Sequence, residues 1–93
     1  MVLTIKFIGA LRHISGKTQL TTSYDKGMSL KKLLEKLRQE IPQLEKSFSD
    51  QTADSTSNAL ILVNGREISV LNGLETEIRD GDEIVFVPVV HGG

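Results

Sequence analysis

Apolar and polar positions alternate over residues 2–8. One side of this segment carries only large apolar residues, while the other includes the polar residues Thr4 and Lys6, which is the period-two pattern of a half-buried β-strand. The side chains expected to enter the core are Leu3, Ile5 and Phe7. A turn around residues 15–17 leads to a short, threonine-rich segment at 18–23, and this composition predicts the returning arm of a hairpin and an edge strand.

The apolar spacing changes to a helical period after Ser29. Leucine or isoleucine recurs every three or four residues up to position 41, and charged residues occupy most positions between them, as in an amphipathic helix. Ser29 is a favourable N-cap residue, and Pro42 cannot continue a helix. The buried stripe is predicted to consist of Leu30, Leu33, Leu34, Leu37 and Ile41.

The second half of the chain is predicted to be mainly β-structure. An apolar run at 59–63 is followed by Asn64-Gly65, a pair that favours the positive φ angles of a tight hairpin turn. A turn at 80–82 precedes the β-branched segment 83–87, which is typical of a central strand, and Pro88 is expected to stop it. The order β-β-α-β-(β)-β favours one helix lying across one face of a mixed sheet, a two-layer α+β fold.

The other face of this sheet is predicted to be apolar near the last strand. A sheet covered on one side should alternate cleanly, yet residues 59–63 and 84–90 are apolar on both faces. If Ile84 and Phe86 point inward, their neighbours form an outward patch. The residues expected in it are Ile8, Leu62, Val85 and Val87. This patch is either a docking surface for a partner or a surface that a loop covers.

Length and composition predict one domain that spans residues 1–93. With 93 residues and 39% hydrophobic content, the chain supports a single core. The stretch from 47 to 58 is almost wholly small and polar, and we expect a mobile surface loop that tolerates deletion. Residues 89–93 are expected to form a flexible tail.

Composition also limits the classes of partner and of binding site that we expect. The chain has 11 basic and 12 acidic residues, two histidines and no cysteine, so nothing indicates a nucleic-acid or membrane partner, a disulfide, a thiolate site or a zinc cluster. We expect protein partners, with no metal bound. No apolar stretch approaches the ~20 residues of a membrane span, and no signal-peptide pattern opens the chain. Cytoplasmic location is the default expectation.

The sequence ends in Val89-Val90-His91-Gly92-Gly93. Glycines without Cβ atoms can lie extended in a channel that excludes other residues, and they leave the last carboxylate open to attack an electrophile. We therefore predict that Gly93 supplies the reacting carboxylate and that Gly92 threads into a partner. A frayed end without function is the alternative.

The predicted architecture, the turn at 80–83, the strand 84–88 and the ending Gly92-Gly93 together resemble the ubiquitin-like β-grasp sulfur carriers. This family includes the small subunit of molybdopterin synthase (MoaD), the thiamine sulfur carrier (ThiS), Urm1 and the archaeal small modifiers, and the resemblance covers essentially the whole chain. Residues 7–17 are similar to the molybdopterin synthase small subunit, with Ile8 replacing an aromatic residue and His13 an acid. The ending His91-Gly92-Gly93 is closer to Urm1.

The resemblance implies a ubiquitin-like β-grasp fold with a four- to five-stranded mixed sheet and one main helix. It also implies that an E1-like enzyme adenylates Gly93 with ATP, and that a persulfide-bearing sulfurtransferase then forms a thiocarboxylate. The chain itself would be a carrier, with no bound cofactor and no catalysis of its own. By position, the partner-binding residues are Ile8, Leu62 and Val87, with His91 either contacting a partner or acting as a spacer.

Three functions stay open on the sequence. As a carrier, the chain would deliver sulfur either to molybdopterin, together with the large synthase subunit, or to a tRNA thiolation enzyme. As a ubiquitin-like modifier, it would be joined through Gly93 to lysines of target proteins. As a plain interaction module, it would carry an incidental tail.

Overall fold

The computed structural model describes residues 2–44 and 59–88. In these two stretches five strands form one sheet, and two helices and three 3₁₀ turns connect them. The strands are β1 (Val2–Phe7), β2 (Gln19–Ser23), β3 (Ala59–Val63), β4 (Arg66–Glu67) and β5 (Glu83–Pro88). The helices are α1 (Ala10–Ser15) and α2 (Leu30–Glu40), and the 3₁₀ turns are Pro42–Leu44, Ile68–Val70 and Gly73–Glu75.

The sheet is mixed, with the strand order β2-β1-β5-β3-β4. The central pair, β1 and β5, is parallel, whereas β1 with β2, β3 with β5 and β3 with β4 are antiparallel. The last strand therefore occupies the middle of the sheet and β2 lies at an edge, as the composition of each strand predicted.

The core lies between α2 and one face of the sheet. Ser29 caps the helix, since its hydroxyl oxygen accepts a hydrogen bond from the backbone N–H of Lys32 at 3.2 Å. Phe7 and Phe86 stack with ring centroids 5.8 Å apart. The predicted inward residues of β1 and the predicted stripe of α2 are all buried. This confirms the two-layer arrangement.

Two predicted turns are present with the backbone angles that they require. Asn64 and Gly65 have φ angles of 51° and 85° and join β3 to β4, while Gly81 has φ of 86° just before β5. Positive φ is easily adopted by glycine and is tolerated by asparagine, so the residue types determine where the chain reverses.

The connection between β1 and β2 differs from the prediction. Instead of a plain turn around residues 15–17, it contains α1, which buries Leu11 and ends at Gly16 in the left-handed conformation. Six residues are too few for a helical period to be recognised in the sequence. Pro88 is the last described residue of β5 and lies opposite Ala59, which agrees with the predicted strand 84–88.

Two predicted segments, the loop 47–58 and the tail 89–93, lie outside the described residues. Within residues 2–44 and 59–88, no helix is long and apolar enough to cross a bilayer.

Candidate functional site

The outer face of the sheet, on the side away from α2, carries an apolar patch. Backbone register places Leu60 opposite Val87 and Leu62 opposite Val85. Ile8 joins this group because its N–H donates to the carbonyl oxygen of Phe86 at 3.0 Å, which continues the β1–β5 ladder by one residue. We call these five residues, Ile8, Leu60, Leu62, Val85 and Val87, the outer patch.

The side chains of the outer patch are outside the main core. Each is partly exposed, and Leu60 retains 40% of its accessible surface. Strand residues that face solvent in a two-layer protein are usually polar. A contiguous apolar surface of this kind is typical of a protein interaction site.

Charged residues border the outer patch towards the start of β5. Lys6 lies opposite Val85 in the register, and its Nζ is 2.9 Å from Oε2 of Glu83. Both side chains are about two-fifths exposed, at 41% and 42%. The outer face thus changes from charged at the start of β5 to apolar at its end.

The end of β5 is held close to the start of α1. Pro88 lies against Gly9, at which an added Cβ would be 3.1 Å from the Pro88 Cγ. Arg12 donates from Nε to the backbone carbonyl oxygen of Phe7 at 3.3 Å, so this side chain binds the end of β1. Beyond Pro88 the sequence continues through five residues to Gly93. The outer patch and Pro88, from which the tail continues, therefore occupy the same end of the sheet.

The structure brings together the three partner-binding residues predicted on the sheet. Ile8, Leu62 and Val87 share the outer patch, together with Val85, which the alternation of β5 also predicted. Leu60 was missed, although it lies two residues before Leu62 and therefore points to the same face of the strand. The predicted site residues His91, Gly92 and Gly93 lie outside the described residues and stay predictions.

The chemical character of the outer patch is that of a binding surface. Its members are aliphatic, and they offer neither a nucleophile nor a proton donor or acceptor in their side chains. Among residues 2–44 and 59–88, no three His, Cys, Asp or Glu side chains are grouped to hold a metal ion. The outer patch is thus suited to recognition of a partner.

Comparison with known proteins places this chain among carriers and modifiers. The model of the ThiS family matches residues 5–93. Small archaeal modifier protein 3 from Haloferax volcanii is 27% identical over 93 residues, which is all of both chains. A candidate sulfur carrier protein from Archaeoglobus fulgidus is 58% identical over 33 residues, so that match spans 36% of this chain and only 38% of that relative.

Solved structures confirm the predicted fold. Urm1 from Trypanosoma brucei superposes with a TM-score of 0.80 and 26% identity, over 99% of this chain and 95% of that one. CysO of Amycolatopsis orientalis, crystallised as a complex with BexX, has the same fold at 20% identity and a TM-score of 0.73, over 98% of this chain and 99% of that one. The mixed five-stranded sheet with one main helix is a ubiquitin-like β-grasp.

Proposed function

Because the chain belongs to the ThiS family, we propose that it is a ubiquitin-like sulfur carrier that works through Gly93. An E1-like enzyme adenylates the Gly93 carboxylate with ATP, and a persulfide-bearing sulfurtransferase converts it to a thiocarboxylate. The sulfur then passes to molybdopterin formation or to tRNA thiolation, in the cytoplasm. The chain carries the sulfur, and its partner enzymes perform the catalysis.

The observation that supports this proposal best is the position of the outer patch. The five aliphatic residues lie at the end of β5 from which the chain continues to Gly92-Gly93. A partner that covers the patch would therefore hold the domain beside its own reaction centre. Once the domain is bound in this way, the Gly93 carboxylate has to reach the reaction centre only over the length of five residues. The reaction then behaves as a step within one complex and not as an encounter between two molecules.

The chemistry requires activation of the carboxylate before sulfur can be added. A carboxylate is a poor electrophile, so one of its oxygens first attacks the α-phosphate of ATP and releases pyrophosphate. The persulfide sulfur then attacks the acyl carbon and expels AMP, and a second thiol reduces the acyl disulfide to the thiocarboxylate and a disulfide. A chain with no cysteine of its own does not compete for this activated terminus.

The test is intact-mass spectrometry of the protein isolated from its own host. The carrier function predicts the mass increase of one oxygen-to-sulfur exchange, localised to the peptide that contains Gly93. After treatment of the same sample with an alkylating reagent that captures thiocarboxylates, the mass of the free thiocarboxylate should disappear from the spectrum. If the exchange is absent in cells that contain the activating enzyme, the carrier proposal fails.

The second candidate function is protein modification through the same residue. The likeness to small archaeal modifier protein 3, which covers both chains completely, favours this candidate. An isopeptide bond would then join Gly93 to lysines of target proteins. Arg79 is the last residue after which trypsin cleaves, so digestion would leave residues 80–93 attached to those lysines only if the chain is a modifier. A search for this branched remnant separates the two functions.

A further inference from the structure

Gly9 makes an unusually close contact with the end of the central strand. It links β1 to α1 with φ of 58° and ψ of −134°, a combination that residues with a Cβ rarely adopt. A Cβ added there would lie 3.1 Å from Cγ and 3.7 Å from Cδ of Pro88. Glycine at this position is therefore favoured strongly by the backbone angle, and a Cβ there would fit only if Pro88 or Gly9 moved by a few tenths of an ångström.

The Gly9 side of this contact is firmly held. The N–H of Ile8 donates to the Phe86 carbonyl oxygen at 3.0 Å, and the Gly9 carbonyl oxygen accepts from the N–H of Arg12 at 3.0 Å. Leu11, in the first turn of α1, is only 2% exposed. A larger residue at position 9 would therefore have to move either α1, which is anchored by the buried Leu11, or Pro88, which is at the end of its strand.

Pro88 can transmit such a movement to the tail. Its ring restricts φ to about −65°, so the residue behaves as a stiff link. It is also the last residue of β5 before the five residues that end in Gly93. A displacement of the ring changes the direction in which the following residues begin.

We infer that Gly9 is a positioning residue for the tail: it lets the Pro88 ring lie against its bare Cα and so sets the direction in which the chain leaves the sheet towards Gly93. The consequence for activation rests on the proposed function of Gly93. The structural part of the inference, that Gly9 determines where the tail extends, stands without it.

Gly16 provides a matched control. Its φ of 77° is also positive, yet an added Cβ would meet nothing within 4 Å. Gly16→Ala therefore introduces a positive-φ penalty without a contact to Pro88, although its φ of 77° and ψ of 11° lie in the left-handed region and the penalty is smaller than at Gly9. An effect that Gly9→Ala shows, that Gly16→Ala lacks and that removal of the Pro88 ring relieves can be assigned to the contact.

The first experiment compares adenylation of purified variants by the activating enzyme. For Gly9→Ala we expect the rate at saturating protein to fall about tenfold to 100-fold, because small misplacements of a reacting group are costly. The dissociation constant for the enzyme should stay within about twofold, since the outer patch is unchanged. Gly16→Ala should match the natural chain in the rate and the dissociation constant.

Removal of the ring tests the contact from the other side. In Gly9→Ala/Pro88→Ala, the rate should return to that of Pro88→Ala alone, because the clashing Cγ atom is gone. If Gly9→Ala does not fold, Pro88→Ala still breaks the same contact without backbone strain, and a slower adenylation at unchanged affinity is expected. An unchanged rate in either folded variant overturns the inference.

The second experiment needs no enzyme. The chain contains no cysteine, so His91→Cys accepts a single nitroxide label, and NMR line broadening then maps the surface that the tail visits. Gly9→Ala should change which backbone amides are broadened, and Gly16→Ala should not. An identical map in the natural and Gly9→Ala backgrounds refutes the positioning function. If the labelled maps differ but no protein is ever adenylated, it is the proposed function that fails.

Discussion

The two faces of the sheet are built from neighbouring residues of the same strands, but they differ in what covers them. In β5, Phe86 is completely buried beneath α2, while Val85 and Val87 on either side lie on the outer face and are only partly buried. In β3, Ile61 is 1% exposed and Leu60 is 40% exposed. Hydrophobicity alone therefore does not distinguish the core from the outer patch.

One face of this sheet therefore contributes mainly to stability, while the other leaves apolar surface open to a partner. A fully buried aliphatic or aromatic side chain contributes about 1.5–3 kcal/mol through the hydrophobic effect, whereas a partly exposed one realises only part of this on folding. The remainder is available to a partner that covers the outer patch. Substitutions on the two faces should therefore affect different measurements.

The largest expected effect comes from the tail, residues 89–93. Deletion of Gly92 and Gly93 should abolish activation completely, because the carboxylate then follows His91, whose ring does not fit where glycines are required. The midpoint of thermal unfolding should not change, since the described core ends at Pro88. Pyrophosphate release with the activating enzyme and calorimetry measure the two quantities. Activation that survives the deletion would contradict the role of Gly92 and Gly93 as the reacting end of the chain.

The next effect separates the two faces directly. Phe86→Ala should lower the free energy of unfolding by about 3–5 kcal/mol, because it removes a fully buried ring that stacks on Phe7. Val87→Ala, the adjacent residue on the outer face, should cost less than about 1 kcal/mol. Urea denaturation of the two variants gives the comparison. Equal losses would mean that the outer face is part of the core.

Much of this contrast could be predicted from the sequence. Alternation in β1, helical spacing in α2 and β-branched composition in β5 indicated the elements and the inward side chains, because each pattern extends over enough residues to be periodic. The glycine and asparagine turns were predictable because positive φ angles restrict the residue type.

The rest depended on contacts between distant segments. Alternation from the predicted outward residue Leu62 already puts Leu60 on the outer face, but only the register of β3 with β5 places Leu60 opposite Val87 and so in the outer patch. The close approach of Gly9 to Pro88 joins positions 79 residues apart in the sequence. Nothing in the local pattern around Gly9 indicates this contact.

A charge placed on the outer patch should weaken partner binding with little effect on folding. For Leu62→Asp we expect the dissociation constant for the activating enzyme to rise about tenfold to 100-fold, because the new carboxylate must lose its water in the interface. The free energy of unfolding should change by less than about 1 kcal/mol.

A matched control for this substitution exists on the same face. Thr21→Asp places the same charge on the outer side of the edge strand β2, opposite Thr4 and away from the outer patch. It should leave the dissociation constant within about twofold. Titration calorimetry with the activating enzyme distinguishes the two variants, and equal weakening would show that net charge, and not the patch, determines docking.

The smallest expected effect concerns the charged border of the outer face. Lys6 and Glu83 form an ion pair at 2.9 Å, but both side chains are well exposed, so a double-mutant cycle with Lys6→Met and Glu83→Gln should give a coupling of only about 0.2–1 kcal/mol in unfolding. The backbone of Glu83 accepts from the Asn64 N–H and donates to the Asn64 side-chain Oδ1, and neither hydrogen bond involves the substituted atoms. Added salt should reduce the coupling further. A coupling above about 2 kcal/mol that persists at high salt would show that this border is as shielded as the inner face, and the division of the sheet into a stabilising side and a recognition side would then hold only for its apolar end.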